Sequence, residues 1–163
     1  MNGQEPFANL AVRPIRSDDV ERLLRLFGRL SPETIYRRFF TMLPTPPPAA
    51  LRRMARVDHH DREALVALEE DEIVAVARWD RLAPDAAEAE VAVVVEDAWQ
   101  HRGLGHVLMR LLTEAAVEQG ITGLVVTVLS ENRPAVRLAR SLGRPATVAA
   151  DGPELRMVFR LAS

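Results

Sequence analysis

The stretch Glu88-Ala89-Glu90-Val91-Ala92-Val93-Val94-Val95-Glu96 runs through Asp97-Ala98-Trp99 into Gln100-His101-Arg102-Gly103-Leu104-Gly105-His106, and its reading decides the fold. The centre of the first part, Val91 to Val95, is apolar at every position. An unbroken apolar run of this length reads as a strand covered on both faces. The second part carries glycines at 103 and 105 and leads into Leu104, Leu108, Leu111, Leu112 and Ala115. Those five lie on one face of a helix running from Gly103 to Gln119. Gly120 supplies a residue able to take the left-handed conformation that stops the helix.

A strand entering a glycine turn that opens a long helix is an anion site in outline. First-turn amides have no partner inside the helix, and they sit at the positive end of its dipole. A pyrophosphate placed there is held by main-chain nitrogen. Glycine keeps Cβ atoms out of the anion's way, and Arg102 adds a charge. Two other glycine-rich loops do not fit. A dinucleotide fingerprint needs glycine where the chain has Leu108. A P-loop ends in Gly-Lys-Ser or Gly-Lys-Thr, and no such run occurs.

Downstream, Thr122–Leu129 reads as a strand, and Asn132 starts a helix that runs to Leu142 and stops at Gly143. The unit from Glu88 to Leu129 is therefore strand, helix, strand, which predicts a right-handed crossover and a parallel pair. Two closing strands, Ala146–Ala149 and Glu154–Leu161, are joined by Asp151-Gly152-Pro153. Upstream, Ala64–Leu68 and Ile73–Trp79 form a hairpin across the acidic turn Glu69 to Glu72. Before them come a strand from Leu10 to Ile15 and a helix capped by Ser17 or Asp18, with Val20, Leu23, Leu24 and Phe27 at helical spacing. A second helix starts at Ser31-Pro32 with Ile35, Tyr36, Phe39 and Phe40 on its apolar side. Pro44, Pro46, Pro47 and Pro48 end it, and a short helix follows from Ala49 to Arg56. The expectation is an α/β, or mixed α+β, single domain spanning 1–163. Its central sheet has about seven strands, mostly antiparallel, flanked by helices.

Composition narrows the function. The 163 residues are 48% hydrophobic and 27% charged, with a formal net charge of -2. That balance gives no global attraction to nucleic acid or to an acidic membrane. There is no cysteine, which removes disulfides, thiolate metal sites and a cysteine nucleophile. Met1 to Asn9 lacks the apolar core of a signal peptide, and runs such as Leu124–Leu129 are too short to span a bilayer. A soluble, cytoplasmic protein is expected, with no membrane, nucleic-acid or metal partner, as a monomer or homodimer. Arg37, Arg38, Arg52 and Arg53 read as a solvated helix face in preference to a docking surface for an acidic partner.

The two segments Glu90–Val95 and Trp99–Gly105 resemble the acetyl-CoA motif of the GNAT N-acetyltransferases, whose pattern is Gln/Arg-x-x-Gly-x-Gly/Ala. Asn132-Arg133-Pro134-Ala135-Val136-Arg137-Leu138-Ala139-Arg140-Ser141-Leu142-Gly143 resembles their next helix. More narrowly, Leu30 to Phe40, Val57-Asp58-His59-His60, Ala75-Val76-Ala77-Arg78 and Ala89-Glu90-Val91-Ala92 are similar to bacterial Pat-type protein lysine acetyltransferases.

The resemblance implies a GNAT fold in which a splayed parallel strand pair binds acyl-CoA. It implies that Gln100, His101, Arg102, Gly103, Leu104, Gly105 and His106 cradle the pyrophosphate of acetyl-CoA. Main-chain groups of Val93, Val94 and Val95 would pair with the pantetheine arm. Asn132 would contact the cofactor, cap its own helix, or do both. Glu90 would be the general base for a primary amine, either a protein lysine or a small amine, with Glu88 farther from the cleft. A non-catalytic acyl-CoA-binding module keeps the same loop and is the other class. His59 and His60 read as loop residues, and His101 and His106 as the frame of the phosphate loop. The oxyanion donor would be an amide freed by a bulge near Val93 or Val94. Two departures stand out: Ala139 occupies the position where many relatives have a tyrosine, and Arg144 replaces an aromatic after Gly143.

Overall fold

The computed structural model describes residues 7–39 and 46–161. Its first strand, β1 (Leu10–Pro14), leads through a 3-10 turn at Ser17–Asp19 into α1 (Val20–Arg29), α2 (Pro32–Phe39) and α3 (Pro48–Ala55). A meander of β2 (Arg62–Glu69), β3 (Glu72–Arg81) and β4 (Glu88–Val95) comes next. The chain then makes α4 (Leu104–Glu118), β5 (Gly123–Leu129), α5 (Arg133–Arg140), β6 (Ala146–Asp151) and β7 (Glu154–Arg160). The seven strands form one sheet in the order β1-β2-β3-β4-β5-β7-β6. Only β4 and β5 are parallel; every other neighbour is antiparallel. The sequence-based expectation of a mixed, mostly antiparallel sheet flanked by helices is met. Phe40 and Pro44 lie outside the described residues.

Two cores cover the two faces. Leu104, Leu108, Met109, Leu112 and Ala116 of α4 pack on Trp79, Ala89, Val91, Leu124 and Phe159. On the other face Leu23, Leu26 and Phe27 of α1 join Leu51 of α3, with Val66, Val76 and Val94. The buried stripe of α4 is rotated from the one read in the sequence. Met109 and Ala116 are buried, whereas Leu111 and Ala115 are half-buried. The leucine count drew the stripe toward Leu111, but packing on the twisted sheet selects the 104-108-109-112-116 set.

The start of α1 is a second correction. Neither Ser17 nor Asp18 caps it; both belong to the 3-10 turn, and Asp19 takes over as the organising residue. Its carboxylate is fully buried. It accepts two bonds from the Arg13 guanidinium, both at 2.8 Å, and one from the Arg16 N–H at 2.7 Å. Burial works against ionisation of Asp19, yet the bonds from Arg13 and Arg16 prevail and its pKa lies below the usual carboxylate value.

Candidate active site

The site originates in how β4 is paired. Against β3 it runs in unbroken register from Arg81↔Ala89 to Ala75↔Val95. Against β5 it pairs only from Glu88↔Gly123 to Val91↔Val126. Beyond that rung β5 continues with β7, through Thr127↔Arg156 to Leu129↔Glu154. The two central strands therefore separate after Val91 and Val126, and a wedge opens between Ala92–Val95 and Thr127–Leu129. The fully covered strand expected from the apolar run is covered only in part: Ala92, Val93 and Val95 are half-buried and line the wedge.

The pleat decides which main-chain groups face that opening. Glu96 N–H donates to Val74 O at 2.8 Å and Leu82 N–H donates to Glu88 O at 3.0 Å. In an antiparallel ladder the direction alternates residue by residue. Even-numbered residues of β4 thus turn their N–H and C=O toward β3, and Val93 and Val95 turn theirs into the wedge. Val94 is committed to Val76, so the expectation for its main chain narrows to its two neighbours. The ladder also has no register shift at Val93 or Val94; the shift lies between Ala67 and Leu68, across from β3. Strand separation, and not a bulge, is what frees the amides.

The glycine turn closes one end of the wedge. His101 and Gly103 adopt left-handed backbone angles, with φ of 62° and 88°. Inside α4 the first amide to find a helical partner is that of Val107, on Gly103 O at 3.2 Å. The amides of Leu104, Gly105 and His106 precede it, where helix geometry leaves donors over. Gly105 also meets a packing need. A Cβ there would stand 3.2 Å from Leu138 Cδ2 and 3.9 Å from Val95 Cγ2, so its missing side chain lets α4 approach α5. His106 Nδ1 lies 3.0 Å from Ser141 Oγ at the far end of α5. Arg102 turns away from the wedge and stacks over the Trp99 ring, 4.9 Å from its centroid.

Gln100 ties the turn to the rest of the site. Its Nε2 donates to Val95 O at 2.9 Å and to Thr34 Oγ1 of α2 at 3.2 Å. Thr34 Oγ1 in turn donates to Asp97 Oδ2 at 3.0 Å, and Ser31 donates to Asp97 through its N–H at 3.0 Å and its hydroxyl at 2.7 Å. These bonds outweigh the burial that opposes its ionisation and hold the Asp97 pKa below the ordinary carboxylate value. Sequence reading missed Thr34 and Asp97. The run Ser31-Pro32-Glu33-Thr34 announces a helix start, but nothing in it reveals that the partner carboxylate comes from residue 97.

The resulting cleft has a volume of about 530 Å³. Glu90, Val93 to Val95, Gln100, His101, Gly103 to His106 and Asn132 all border it. Of the twelve residues singled out in the sequence, only Arg102 does not. Asn132 is buried and its Oδ1 accepts from Ala135 N–H at 3.4 Å, a helix cap. Glu90 is exposed to the cleft, one rung before the strands part, and directly opposite Asp80 of β3. Glu88 lies over Gly123 and away from the cleft. His59 and His60 sit in the loop before β2, beside Glu63 and Asp85 at 2.7 and 2.6 Å. Ala139 is buried at the cleft wall and offers no hydroxyl. Arg144 donates to Leu161 O at 2.8 Å and fastens the end of β7.

Arg37 and Arg38 also border the cleft, against the expectation of a solvated face; Arg52 and Arg53 are exposed as expected. The α2 helix packs against β4 and so carries its arginines to the wall. Among the described residues no helix is long and apolar enough to cross a membrane.

Comparison with known proteins finds relatives of the sequence and of the fold. The sequence profile described as the acetyltransferase (GNAT) family matches residues 30–143. The acetyltransferase Pat of Mycolicibacterium smegmatis is 35% identical over 134 residues, which are 81% of this chain and 40% of that protein. The crystal structure of the GNAT domain of S. lividans PAT superposes with a TM-score of 0.87 at 33% identity, covering 92% of this chain and 89% of that one. A Salmonella typhimurium acetyltransferase structure with its cofactor acetyl-CoA shares the fold, with a TM-score of 0.76 at 19% identity over 95% of each chain.

Proposed function

Because the chain belongs to the acetyltransferase (GNAT) family and is thus an acetyl-CoA-dependent N-acetyltransferase, we propose that it acetylates a primary amine, a protein lysine first of all, with Glu90 as general base. The observation that carries this reading is the separation of β4 from β5 beside the free amides of α4. It leaves open the main chain of Val93 and the N–H of Val95, whose carbonyl Gln100 holds, in line with an anion-binding helix start. Pantetheine amides pair with the first, as an added strand would. The pyrophosphate rests on the second.

The acyl carbon then lies toward the last shared rungs, beside Glu90. A lysine ammonium has a reference pKa of about 10.4, so freeing its lone pair at pH 7 costs about 4–5 kcal/mol. Glu90 takes that proton, directly or through water. The amine nitrogen attacks the thioester carbon, and the oxyanion is stabilised by a main-chain amide at the opening of the wedge. As the C–S bond breaks, coenzyme A leaves as a thiolate, a modest leaving group with a thiol pKa near 8.5. The second nitrogen proton neutralises it, so the missing hydroxyl at Ala139 is not needed as an acid.

Calorimetry with acetyl-CoA, paired with turnover of Glu90→Gln on lysine peptides, tests the assignment. Affinity should be kept, and kcat should fall by roughly a hundred- to ten-thousand-fold. Unchanged turnover would remove Glu90 as base, and absence of acetyl-CoA binding would remove the whole reading.

A further inference from the structure

The two outer edges of the sheet differ in a way that folding of one chain does not require. At the β1 edge, Ile15 N–H donates to Ala64 O at 2.9 Å. By the residue-by-residue alternation of an antiparallel ladder, Leu10, Val12 and Pro14 turn their main chain outward. Pro14 has no N–H, and the Leu10 N–H is spent on Phe7 O at 2.9 Å. Only Val12 keeps an outward donor, so this edge is guarded. At the β6 edge, Arg160 N–H donates to Pro145 O at 3.0 Å, and the register continues unbroken from Ala146↔Phe159 to Asp151↔Glu154. Thr147, Ala149 and Asp151 therefore bond to β7, and Ala146, Val148 and Ala150 turn N–H and C=O outward. None of these three is proline or charged, and no bulge interrupts them. All six residues of β6 are exposed, and among the described residues β6 pairs with β7 alone.

Such an edge is a template for another strand, and its own sequence fits a second copy. Turned antiparallel about Val148, two β6 strands set Val148 against Val148 and Ala146 against Ala150. Every outward group then meets an outward group, since each of these opposing pairs exchanges two hydrogen bonds. Charge agrees with that register. The turn end of β6 is acidic, with Asp151 opposite Glu154. Its other end is basic, with Arg144 before it and Arg160 opposite Pro145. Antiparallel self-pairing lays the acidic end of each copy on the basic end of the other, whereas parallel pairing sets like on like. We propose that β6 is the interface of a symmetric dimer, in which two copies of this chain join their sheets edge to edge through Ala146, Val148 and Ala150. Assembly stops at two, because the contact is isologous and the edges left over are the guarded β1 strands.

Sedimentation velocity over a concentration series tests this. The wild-type chain should pass from monomer to dimer, with no larger species. Val148→Pro removes the two bonds at the twofold axis, and the N–H it deletes is not one that β7 uses. Val148→Lys sets like charges opposite one another at the same point. Each should weaken dimerisation by about ten-fold or more. Both should keep the wild-type circular dichroism and the calorimetric affinity for acetyl-CoA, because β6 does not border the cleft. The Val148 side chain is 44% exposed, so Val148→Lys keeps the test intact should proline disturb the strand. Asp151→Lys should weaken the dimer about two- to five-fold, and adding Arg160→Glu should restore it, which checks the register. A monomer at every concentration, an open-ended assembly, or a dimer that both Val148 variants leave unchanged would overturn the proposal.

Discussion

The two halves of β4 are built from the same kinds of residue and serve opposite ends. Glu88–Val91 is bonded on both sides, to β3 and to β5. Among the strands Ala92–Val95 pairs with β3 alone, because β5 diverges from β4 while keeping its pairing with β7 on the other edge. In the first half the main chain is structure. In the second, half of it faces an open cleft. An apolar strand can thus present hydrogen-bonding groups to a cleft without a single polar side chain, when its neighbour leaves it.

The largest expected effect contrasts adjacent residues. Val94→Pro removes an N–H that faces β3 and should destabilise the fold by about 3 kcal/mol or more, seen in urea unfolding. Val93→Pro removes an N–H that faces the wedge. It should spare most of that stability and weaken acetyl-CoA binding by about ten-fold, near the value of one hydrogen bond. Equal destabilisation by both would contradict the pleat assigned here. Next in size is the attachment of α2 at the mouth of the open half. Asp97→Asn should cost about 1 kcal/mol.

The same carboxylate sets an acid limit. The folded pKa of Asp97 is depressed, so its contribution is complete above the unfolded value near 3.9 and disappears as pH falls through the folded value. Asp19 acts in the same direction. Unfolding free energy should therefore drop with acidification below about pH 4, and more shallowly in Asp97→Asn. The smallest effect is expected at Gly105→Ala. Its new methyl meets the flexible end of Leu138 at 3.2 Å, so stability should change by less than about 1 kcal/mol. A several-fold loss of acetyl-CoA affinity there would instead show that the anion itself needs the space.

How much of this was legible beforehand follows from what each feature depends on. The strand, turn and helix from Glu88 to Gln119 are local patterns, and the chain displays them in order. The crossover rule then fixes β4 beside β5. The point where they part is not local. It lies partway along β5, which pairs with β7 over its whole length on the other edge, so no local pattern marks where its β4 edge is released. Arg38 was expected on a solvated face because of its charge, and only the docking of α2 on β4 brings it to the cleft. The packing need at Gly105 was not legible, since its neighbour Leu138 belongs to α5, beyond the rest of α4 and β5. Asp19 escaped notice because a buried carboxylate in a capping stretch looks like any other acidic residue until Arg13 folds across it.

One consequence of the short parallel ladder is mechanical. Among the described residues four rungs, Glu88↔Gly123 to Val91↔Val126, carry all the direct strand pairing between β1–β4 and β5–β7. The sheet is stitched like a book sewn along only part of its spine, and a molecule lying in the unsewn part serves as the remaining thread. Saturating ligand should therefore raise the melting temperature by mass action, with slowed amide exchange concentrated along the two free margins.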